Sequence, residues 1–465
     1  MPLSLTGAVP QLPKGEARCP GPSYQDILNA DGYDVPDAMR AQQYAFLGDE
    51  DIGFERYVSE EFANAEIDHV WNRTWQWACR EEHVPGKGDR YVYDVGPYSI
   101  LVVRGGDQQI RAFVNSCPHR GMQFATEGST GVRRPTIRCP FHGMTFNLDG
   151  SLNEIPCRWD FPHLNEENFR LTEIRCDLWG GFVFINMDLD APPLADYLEV
   201  LPEHFKLWPM DDRYVALHTE KVLPANWKMA MEAFLEAFHV LETHSQAVQT
   251  AADANAQYDI FGKNVSRFIH AIGKPSPHLK QPVSEKQIFA KLGRDPDALP
   301  EGAEARARHA QLLREEYGKQ FGVDLSTTST AEMLDSIEYF VFPNAFFFPG
   351  ISIRLCYRFR PIDVDRCLHE ILLLQPVPKG RPRPAPARPI RLEVEDSYTT
   401  VPGFDLADIL DQDTDNLMMQ RNGARASLKG GKGTQSLGNY QEARIRRMHL
   451  TLDEYLADGI VSSPS

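Results

Sequence analysis

Two five-residue segments decide the fold class of this sequence: Cys117-Pro118-His119-Arg120-Gly121 and Cys139-Pro140-Phe141-His142-Gly143. Each offers one thiolate and one imidazole, and each ends in a glycine that can adopt turn conformations other residues avoid. Four Cys and His ligands suit tetrahedral zinc, but zinc fingers usually place both sulfurs on one element and both imidazoles on another. Two loops that each supply one sulfur and one nitrogen match a two-iron cluster, with both sulfurs on one iron and both nitrogens on the other. The pairing therefore favours an iron–sulfur centre, with zinc as the alternative.

The sequence around these loops indicates a small β domain. Short apolar runs that alternate with polar residues recur between residues 70 and 188, and Gly, Asp and Pro turns separate them. This pattern is typical of antiparallel strands joined by tight turns. We therefore predict an antiparallel β domain at residues 56–190.

The C-terminal part of the chain, residues 191–465, is predicted to be a mixed α+β domain, because helical patterns are followed there by strand-like runs. A Pro-rich stretch at residues 376–389 is predicted to be a loop. Residues 1–55 form an N-terminal segment that we expect to pack on this domain. The helical patterns cover residues 37–47, 226–243, 301–317 and 440–456, and the strand-like runs cover residues 337–342, 351–359, 369–375 and 390–394.

Composition and charge restrict the class of protein. The 465 residues are 42% hydrophobic and 24% charged, which excludes a disordered, collagenous or coiled-coil chain. The formal net charge of -17 would repel a phosphate backbone, so no nucleic-acid partner is expected. No apolar run reaches the roughly 20 residues of a spanning helix, and residues 1–20 lack the pattern of a secretory signal. We therefore predict a cytoplasmic protein without membrane association.

The eight cysteines do not indicate a disulfide framework. They are spread over a long chain with no readable export signal, a usage that favours thiols or metal ligands. Cys79, Cys157 and Cys176 have no histidine at a useful spacing, and we predict that they are small core residues.

A second group of metal-binding residue types lies in residues 226–244. Glu232, Glu236 and His239 are spaced i, i+4 and i+7, so on a continuous helix they share one face. His244 follows about 140° further round a regular helix, so both imidazoles can bind one metal only if the helix loosens or ends between them. The ordinary alternative is a solvated acidic stripe with packed or surface histidines. However, an electron-delivering centre needs an acceptor, and two imidazoles with one carboxylate bind non-haem iron(II) while leaving positions open for O₂.

Taken together, these motifs resemble the large (α) subunit of Rieske non-haem iron ring-hydroxylating oxygenases. The resemblance covers roughly residues 60–456, including both loops, residues 176–182, the Asn226-Trp227-Lys228 lead-in and the E-x-x-H-x-x-x-x-H spacing of residues 236–244. It implies an α+β fold in which a small antiparallel β Rieske domain precedes a helix-grip-like catalytic domain with a central antiparallel sheet. It also implies an oxidoreductase that uses O₂ as co-substrate.

The resemblance gives roles to individual residues. The ligands of a Rieske [2Fe-2S] cluster would be Cys117, His119, Cys139 and His142. His239 and His244 would bind mononuclear Fe(II). Glu236 stands where the family keeps an acid that joins this iron site to the cluster of a neighbouring subunit. Many members have Asp at this position, so the longer Glu leaves the details of its hydrogen bond open.

The third iron ligand is expected to be a carboxylate within Asp411-Gln412-Asp413-Thr414-Asp415. The resemblance favours Asp413, because Gln420 and Gly423 follow it at about the distance that the family keeps from its ligand Asp. Asp411 and Asp415 are the alternatives. The ordinary interpretation of all three is a polar helix start, to which Asp is well suited.

The resemblance also implies partners. Electrons would come from NAD(P)H through a ferredoxin or flavin reductase, because no G-x-G-x-x-G follows a strand and residues 429–434 miss the phosphate-loop spacing. A homotrimer or a multiple of three is implied, since in this family the metals of adjacent subunits are close. A small β subunit is compatible with it. Basic residues near the loops are interpreted either as a docking patch for an acidic redox partner or as local charge balance: Arg120, Arg133, Arg134 and Arg138.

The implied reaction is mono- or dioxygenation of an aromatic or polycyclic hydrophobic substrate, as in aromatic hydrocarbon catabolism. O- or N-demethylation by the same iron chemistry and a Rieske electron carrier without catalysis are the alternatives. Ala233 and Val240, beside the ligands, are the candidate pocket residues, whereas residues 346–348 are better explained as strand core. Residues 275–330 are either a lid over the entrance or surface decoration. Glu232 and Ala233 replace residues frequent in aromatic-ring dioxygenases, which weakens any transfer of naphthalene-like substrates.

Overall fold

The computed structural model describes residues 12–126 and 134–462. Contacts divide the chain into two compact units. One unit, here called the β unit, combines Ala65–Tyr197 with the residues from Asp458 onward and contains both Cys/His loops. The other, the α+β unit, combines Leu198–Ala457 with the residues up to Asn64. The N-terminal segment is thus grouped with the C-terminal part of the chain.

The strands are numbered in chain order. They are β1 (Ile52–Gly53), β2 (Gln76–Arg80), β3 (Arg90–Val95), β4 (Tyr98–Arg104), β5 (Ile110–Val114), β6 (Ile137–Arg138), β7 (Thr145–Phe146), β8 (Leu152–Glu154), β9 (Glu173–Trp179), β10 (Phe182–Asn186), β11 (Arg213–Leu223), β12 (Gln257–Ile260), β13 (Val265–His270), β14 (Ser336–Val341), β15 (Ala345–Phe347), β16 (Leu355–Asp363), β17 (Arg366–Pro376), β18 (Ile390–Leu392) and β19 (Thr434–Gln435).

The α-helices are numbered in the same way. They are α1 (Tyr24–Asn29), α2 (Asp37–Arg40), α3 (Glu55–Val58), α4 (Glu60–Glu66), α5 (Leu194–Tyr197), α6 (Leu201–His204), α7 (Trp227–Glu232), α8 (Val240–Thr243), α9 (Glu285–Lys291), α10 (Ala305–Phe321), α11 (Thr330–Leu334), α12 (Ala407–Asp415), α13 (Leu417–Gly430) and α14 (Ala443–Ser462). Among the described residues, no helix has both the length and the apolar character needed to cross a membrane.

The β unit is antiparallel, as its alternating sequence predicts. Six strands form one sheet in the order β2-β10-β9-β5-β4-β3, and β6, β7 and β8 form a smaller sheet. Leu101 and Phe113 of the large sheet pack in one buried cluster with Ile137 and Phe146 of the small sheet. Burial of these apolar side chains is the main force that fixes the Cys/His loops in place.

The α+β unit is built on an eight-stranded sheet in the order β12-β13-β14-β15-β16-β17-β11-β18. All neighbours are antiparallel except β11 and β18, which run parallel. Helix α14 packs on this sheet, since the buried Arg444 side chain donates to Ser266 of β13 at 3.1 Å and to Glu338 of β14 at 2.8 Å. Apolar residues of α14 at helical spacing, such as Met448 and Leu452, are buried, so the predicted amphipathic helix is present.

The N-terminal segment protects the edge of this sheet. The helix expected over residues 37–47 is wrong beyond Arg40, where α2 ends. The following residues run along edge strand β12, where the Gln43 amide donates to Asp259 at 2.8 Å and the Gln257 amide group donates to the Ala41 carbonyl at 2.8 Å. Pairing with an exposed strand edge outweighs a weak local helix preference.

Two other expectations need correction. Helix α10 spans Ala305–Phe321 rather than residues 301–317, because Gly302 takes a positive φ in a turn before the helix and Gly322, with φ +68°, terminates it. Cys157 is not a core residue: it is exposed and has a positive φ of 55°. Cys79 is buried, as predicted.

Candidate functional site

The two Cys/His loops adopt the same turn. In the first, the Cys117 amide donates to the Met122 carbonyl at 2.9 Å, and the Gly121 amide donates to the Cys117 carbonyl at 2.8 Å. In the second, the Cys139 amide donates to the Met144 carbonyl at 2.8 Å, and the Gly143 amide donates to the Cys139 carbonyl at 3.1 Å. Both glycines have a positive φ, 75° and 78°, which favours glycine over other residues. The two cysteines therefore occupy equivalent places in their turns, whereas His119 follows its cysteine by two residues and His142 follows its cysteine by three.

The donor atoms of these loops suit a group larger than one ion. Cys117 and Cys139 are buried in the apolar cluster, whereas His142 is exposed and His119 is half-buried with its ring 4.7 Å from that of His142. Four ligands of a tetrahedral zinc lie about 3.3–3.8 Å apart. Among the described residues, the sets of donors that converge within 4.8 Å do not include these loops. The residues fit a two-iron cluster, with sulfurs inside and nitrogens outside, better than zinc.

In the α+β unit, side chains replace helical hydrogen bonds between α7 and α8. The Glu236 carboxylate accepts the backbone amides of Phe238 and His239, the latter at 3.1 Å. The Tyr258 hydroxyl accepts the Ala237 amide at 3.0 Å. Such local acceptors compete with the helical pattern. The continuous helix expected over residues 226–243 is therefore broken, which is the condition that the two histidines require to meet.

The interruption also separates the two acids. Because α7 ends at Glu232, the expected common face of Glu232, Glu236 and His239 does not form. Glu232 instead accepts a hydrogen bond from the Tyr57 hydroxyl at 2.6 Å and lies 2.7 Å from Nε2 of His449. Glu232 thus belongs to a buried structural network, and Glu236 alone faces the histidines.

His239, His244 and Asp413 converge on one point. Nε2 of His239 lies 3.2 Å from Nε2 of His244 and 3.3 Å from Oδ1 of Asp413. Nε2 of His244 lies 2.8 Å from the same Asp413 oxygen. Ligand atoms about 2.1 Å from a metal and at right angles to one another are about 3 Å apart. The buried Asp413 Oδ1 has no well-directed hydrogen bond despite these short distances. The three residues therefore fit the facial ligand set of a divalent iron.

The other two aspartates of this segment are placed elsewhere. Asp411 accepts the Tyr398 amide at 2.9 Å and the Lys221 ammonium at 3.2 Å, so its carboxylate is occupied. Asp415, at the end of α12, is exposed. Of the three candidates, the fold brings only Asp413 to the two histidines.

Charge at the site matches a cation. Burial lowers the pKa of His239, but the nearby carboxylates of Asp413 and Glu236 outweigh burial and raise the pKa to about 10. A metal that binds Nε2 replaces this proton, so the same two carboxylates favour the metal-bound form.

Each imidazole is oriented through its second nitrogen. Nδ1 of His239 lies 2.8 Å from the Glu236 carboxylate, and Nδ1 of His244 lies 2.8 Å from Oε1 of Gln412. Gln246 donates to the same Gln412 oxygen at 2.7 Å, which fixes the amide with its oxygen toward His244. Acceptors at Nδ1 keep the proton there and leave Nε2 free for a metal. One turn of α12 thus supplies both the candidate ligand Asp413 and the residue that orients His244.

Sequence reasoning missed Gln412, and its position gives a first prediction. We expect Gln412→Leu to weaken iron(II) binding about 10- to 100-fold, because the His244 ring loses its acceptor. The measurement is a titration of iron-depleted protein with Fe(II) under anaerobic conditions, with the Rieske absorbance as a check on folding. Gln412→Glu restores an acceptor and should bind iron close to the wild-type level. Equal affinity of the Leu variant and the wild type would show that Gln412 does not orient the ligand.

A cavity of about 230 Å³ opens beside the three converging side chains. Both residues expected from the sequence, Ala233 and Val240, line it. Phe348 also lines it, whereas Phe346 and Phe347 are fully buried strand residues. The lining is mostly apolar, and it includes Phe234 next to Ala233 as well as apolar residues from distant segments: Phe268, Ile272, Ile353, Leu355 and Leu410. None of the described lining residues is Lys or Arg.

A second set of converging donors, His218, Glu220 and Glu370, has a structural explanation. It lies in the eight-stranded sheet, and two arginines neutralise it, the buried Arg358 and the exposed Arg391. Arg358 pairs with Glu370 at 2.5 Å, and Arg391 pairs with Glu220 at 3.0 Å. These carboxylates therefore already have cationic partners.

The basic residues near the Cys/His loops are exposed where they are described. Arg120, Arg134 and Arg138 are at the surface, and Arg120 stacks over the Phe141 ring at 5.2 Å. Arg133 lies outside the described residues. The docking patch thus stays a prediction.

Two family models match the chain. Residues 74–165 match the Rieske [2Fe-2S] domain, and residues 203–458 match the catalytic domain of the ring-hydroxylating alpha subunit.

Curated relatives include oxygenases of different substrates. The carnitine monooxygenase oxygenase subunit of Escherichia coli (strain K12) is 30% identical over 196 residues, 40% of this chain and 50% of that protein. The biphenyl 2,3-dioxygenase subunit alpha of Rhodococcus jostii (strain RHA1) is 32% identical over 186 residues, 38% of this chain and 39% of that protein. A glycine betaine monooxygenase oxygenase subunit of Pseudomonas aeruginosa (strain UCBPP-PA14) is 26% identical over 218 residues, 46% of this chain and 48% of that protein. The chain spans about half the length of the curated relatives it matches, or less.

Solved structures share the fold. A quaternary ammonium Rieske monooxygenase in complex with L-carnitine has a TM-score of 0.61 at 17% identity, covering 89% of this chain and 99% of that chain. Naphthalene 1,2-dioxygenase with bound indole has a TM-score of 0.62 at 18% identity, covering 89% and 93%. These structures confirm the α+β fold, and the two family models confirm the resemblance found in the sequence. The chain belongs to the ring-hydroxylating alpha-subunit family of Rieske non-haem iron oxygenases, with a Rieske [2Fe-2S] domain followed by the mononuclear-iron catalytic domain typical of that family.

Proposed function

We propose that this protein is an oxygenase that hydroxylates an uncharged, largely apolar aromatic or polycyclic substrate, using O₂ and electrons from a partner protein. The observation that supports this proposal is the apolar cavity beside His239, His244 and Asp413. Cavities of this kind bind mostly through apolar contacts, with a few polar groups that orient the ligand. A substrate in this cavity is adjacent to the metal-binding atoms.

Each part of the site has a separate task in this proposal. His239, His244 and Asp413 would hold the iron, and the four loop residues would hold the cluster. When bound, these groups supply O₂ activation and electron transfer. Glu236 and Gln412 hold the imidazoles in the orientation that a metal needs. The apolar lining binds the substrate and excludes water from it.

Demethylation of a quaternary ammonium compound is the second candidate function. The names of the carnitine and glycine betaine monooxygenases favour it. Phe234, Phe348 and Tyr357 line the cavity, and aromatic rings attract ammonium groups. Two features oppose it. The Glu338 carboxylate in the lining is already paired with Arg444, and the described lining contains no Lys or Arg to bind the carboxylate of a betaine. We therefore place the uncharged substrate first.

The redox partner is proposed to be a ferredoxin or flavin reductase, which would transfer electrons from NAD(P)H. A homotrimer or a multiple of three is proposed with it, and a small β subunit is compatible with this assembly. The exposed basic residues Arg120, Arg134 and Arg138 provide a surface to which an acidic donor could dock.

The test of the proposed function compares two panels of compounds. Oxygenase with reconstituted cluster and iron is supplied with a ferredoxin–reductase pair, and O₂ consumption is measured with naphthalene and biphenyl or with carnitine and glycine betaine. We expect stimulation of O₂ consumption by an uncharged aromatic compound, with ¹⁸O from O₂ in a hydroxylated product. Stimulation only by the quaternary compounds, with loss of a methyl group as formaldehyde or cleavage to an aldehyde, would contradict the proposal and favour the second candidate.

A further inference from the structure

Two neighbouring strands place a few polar groups on the cavity wall. In the pairing of β13 with β14, His270 is opposite Ser336 and Phe268 is opposite Glu338. Side chains two residues apart on a strand point to the same face. All four residues line the cavity, so this wall combines an imidazole, a hydroxyl and a carboxylate with one aromatic ring.

Most polar groups at the cavity already have partners. Glu338 is paired with Arg444 at 2.8 Å and accepts the Tyr357 hydroxyl at 3.0 Å. Glu236 accepts hydrogen bonds from His239 and from backbone amides. His239 and the other two converging residues are directed at one another. These groups are therefore committed to structure or to the metal site.

His270 differs from them. Its Nδ1 is inaccessible to solvent and has no hydrogen-bond partner. Nε2 is not buried in this way. The ring stacks on Phe268 at 5.6 Å with an interplanar angle of 9°, which holds it against the wall. Burial, with a smaller effect of the nearby His239 and His244, lowers the pKa of His270 to about 4, so the imidazole is neutral near pH 7. A neutral imidazole has one N–H donor and one acceptor nitrogen.

The burial of Nδ1 determines which ring nitrogen of His270 donates a hydrogen bond. A buried N–H without an acceptor is rarer in proteins than an acceptor that lacks a donor. The proton is therefore more stable on Nε2, the nitrogen that is not buried in this way. His270 then presents a fixed N–H donor within an apolar surface, and leaving this donor unpaired costs more than pairing it with a ligand oxygen.

We propose that His270 is a specificity-determining residue that donates a hydrogen bond from Nε2 to an oxygen acceptor on an otherwise apolar substrate. The substrate class is then an oxygenated ring compound, such as an aryl ketone, aryl ether or phenol, rather than a bare hydrocarbon or a quaternary ammonium compound. The inference rests on the proposed function and narrows its substrate.

The test measures binding of two probes that differ by one oxygen, 1-indanone and indane. Dissociation constants are determined anaerobically by calorimetry with the iron-loaded oxygenase, for the wild type and for His270→Phe. The dissociation constant of indane divided by that of 1-indanone should be about fivefold larger in the wild type than in His270→Phe, as expected for one neutral hydrogen bond. Because the ratio compares two ligands in one protein, a general change in cavity shape affects it little.

Two further variants make the result specific. His270→Gln retains an N–H donor and should recover part of the preference, whereas His309→Phe, which replaces a histidine of α10 outside the cavity lining, should behave as the wild type. A ratio unchanged by His270→Phe, or undetectable binding of 1-indanone to the wild type, overturns the inference. Failure of the proposed function is a different result, namely no stimulation of O₂ consumption by naphthalene, biphenyl or 1-indanone.

Discussion

Replacement of Asp413 by alanine is expected to remove the mononuclear iron and leave the cluster intact. Iron content should fall from about three to about two atoms per chain, since the cluster accounts for two. Asp413 supplies the single carboxylate of the converging set, and without it His239 and His244 offer only two neutral ligands. Loss of a hydrogen bond to a metal ligand typically lowers metal affinity or activity roughly 10- to 100-fold. Substrate-dependent O₂ consumption should fall by more than this in Asp413→Ala, because the candidate ligand itself is removed. The measurements are iron analysis, the visible spectrum of the cluster and O₂ consumption.

The matched control is Asp415→Ala. Asp415 lies on the same helix two residues further on, and its side chain is exposed. This variant should keep about three irons per chain and wild-type O₂ consumption. If Asp415→Ala lost iron and Asp413→Ala kept it, the ligand assignment would be wrong. If wild-type protein itself contained only two irons after reconstitution with Fe(II), the electron-carrier alternative would replace the oxygenase.

The turns of the two Cys/His loops could be predicted from the sequence because all their determinants are local. Each loop places its cysteine, histidine and glycine within five residues, and the turn forms from hydrogen bonds between near neighbours. The antiparallel fold of the β unit follows from strand alternation in the same way. Long-range packing adds to this result but does not alter it.

The candidate iron site was predictable only in part, because it depends on contacts between distant residues. The histidine spacing left open whether the helix is continuous, and the answer depends on Tyr258, which binds the Ala237 amide from β12. Asp411, Asp413 and Asp415 are alike in sequence, and only the packing of α12 selects one of them. Gln412 carries no sequence signal, since an amide beside an aspartate is common in helices.

The residues that line the cavity were also predictable only in part. Ala233 and Val240 were predictable because they are close to the ligands along the chain. His270 on β13 and Phe348, directly after β15, reach the cavity from positions that the strand pairing of the whole sheet sets. A half-buried histidine at the end of a strand is usually a satisfied core residue. Its unpaired nitrogen became visible only in the structure.

Replacement of Glu236 is expected to separate metal binding from turnover. The carboxylate accepts the Nδ1 proton of His239 at 2.8 Å and two backbone amides of the segment that interrupts the helix. Glu236→Ala leaves these donors unpaired, so iron binding should weaken, about 10- to 100-fold. At saturating Fe(II), however, the variant should still hold both metal centres and lose turnover. Retained full turnover in Glu236→Ala would remove the coupling role.

Glu236→Gln is the sharper variant, because it keeps the shape and one acceptor oxygen but removes the negative charge. Iron content should equal that of the wild type. If the charge couples the two metal centres, reoxidation of the reduced cluster by O₂ and substrate should slow at least about tenfold in single-turnover absorbance measurements. The control is Glu242→Gln, an exposed carboxylate on α8, which should reoxidise at the wild-type rate. Unchanged reoxidation in Glu236→Gln would mean that coupling does not need the negative charge, and that the carboxylate only supports the broken helix and the His239 ring.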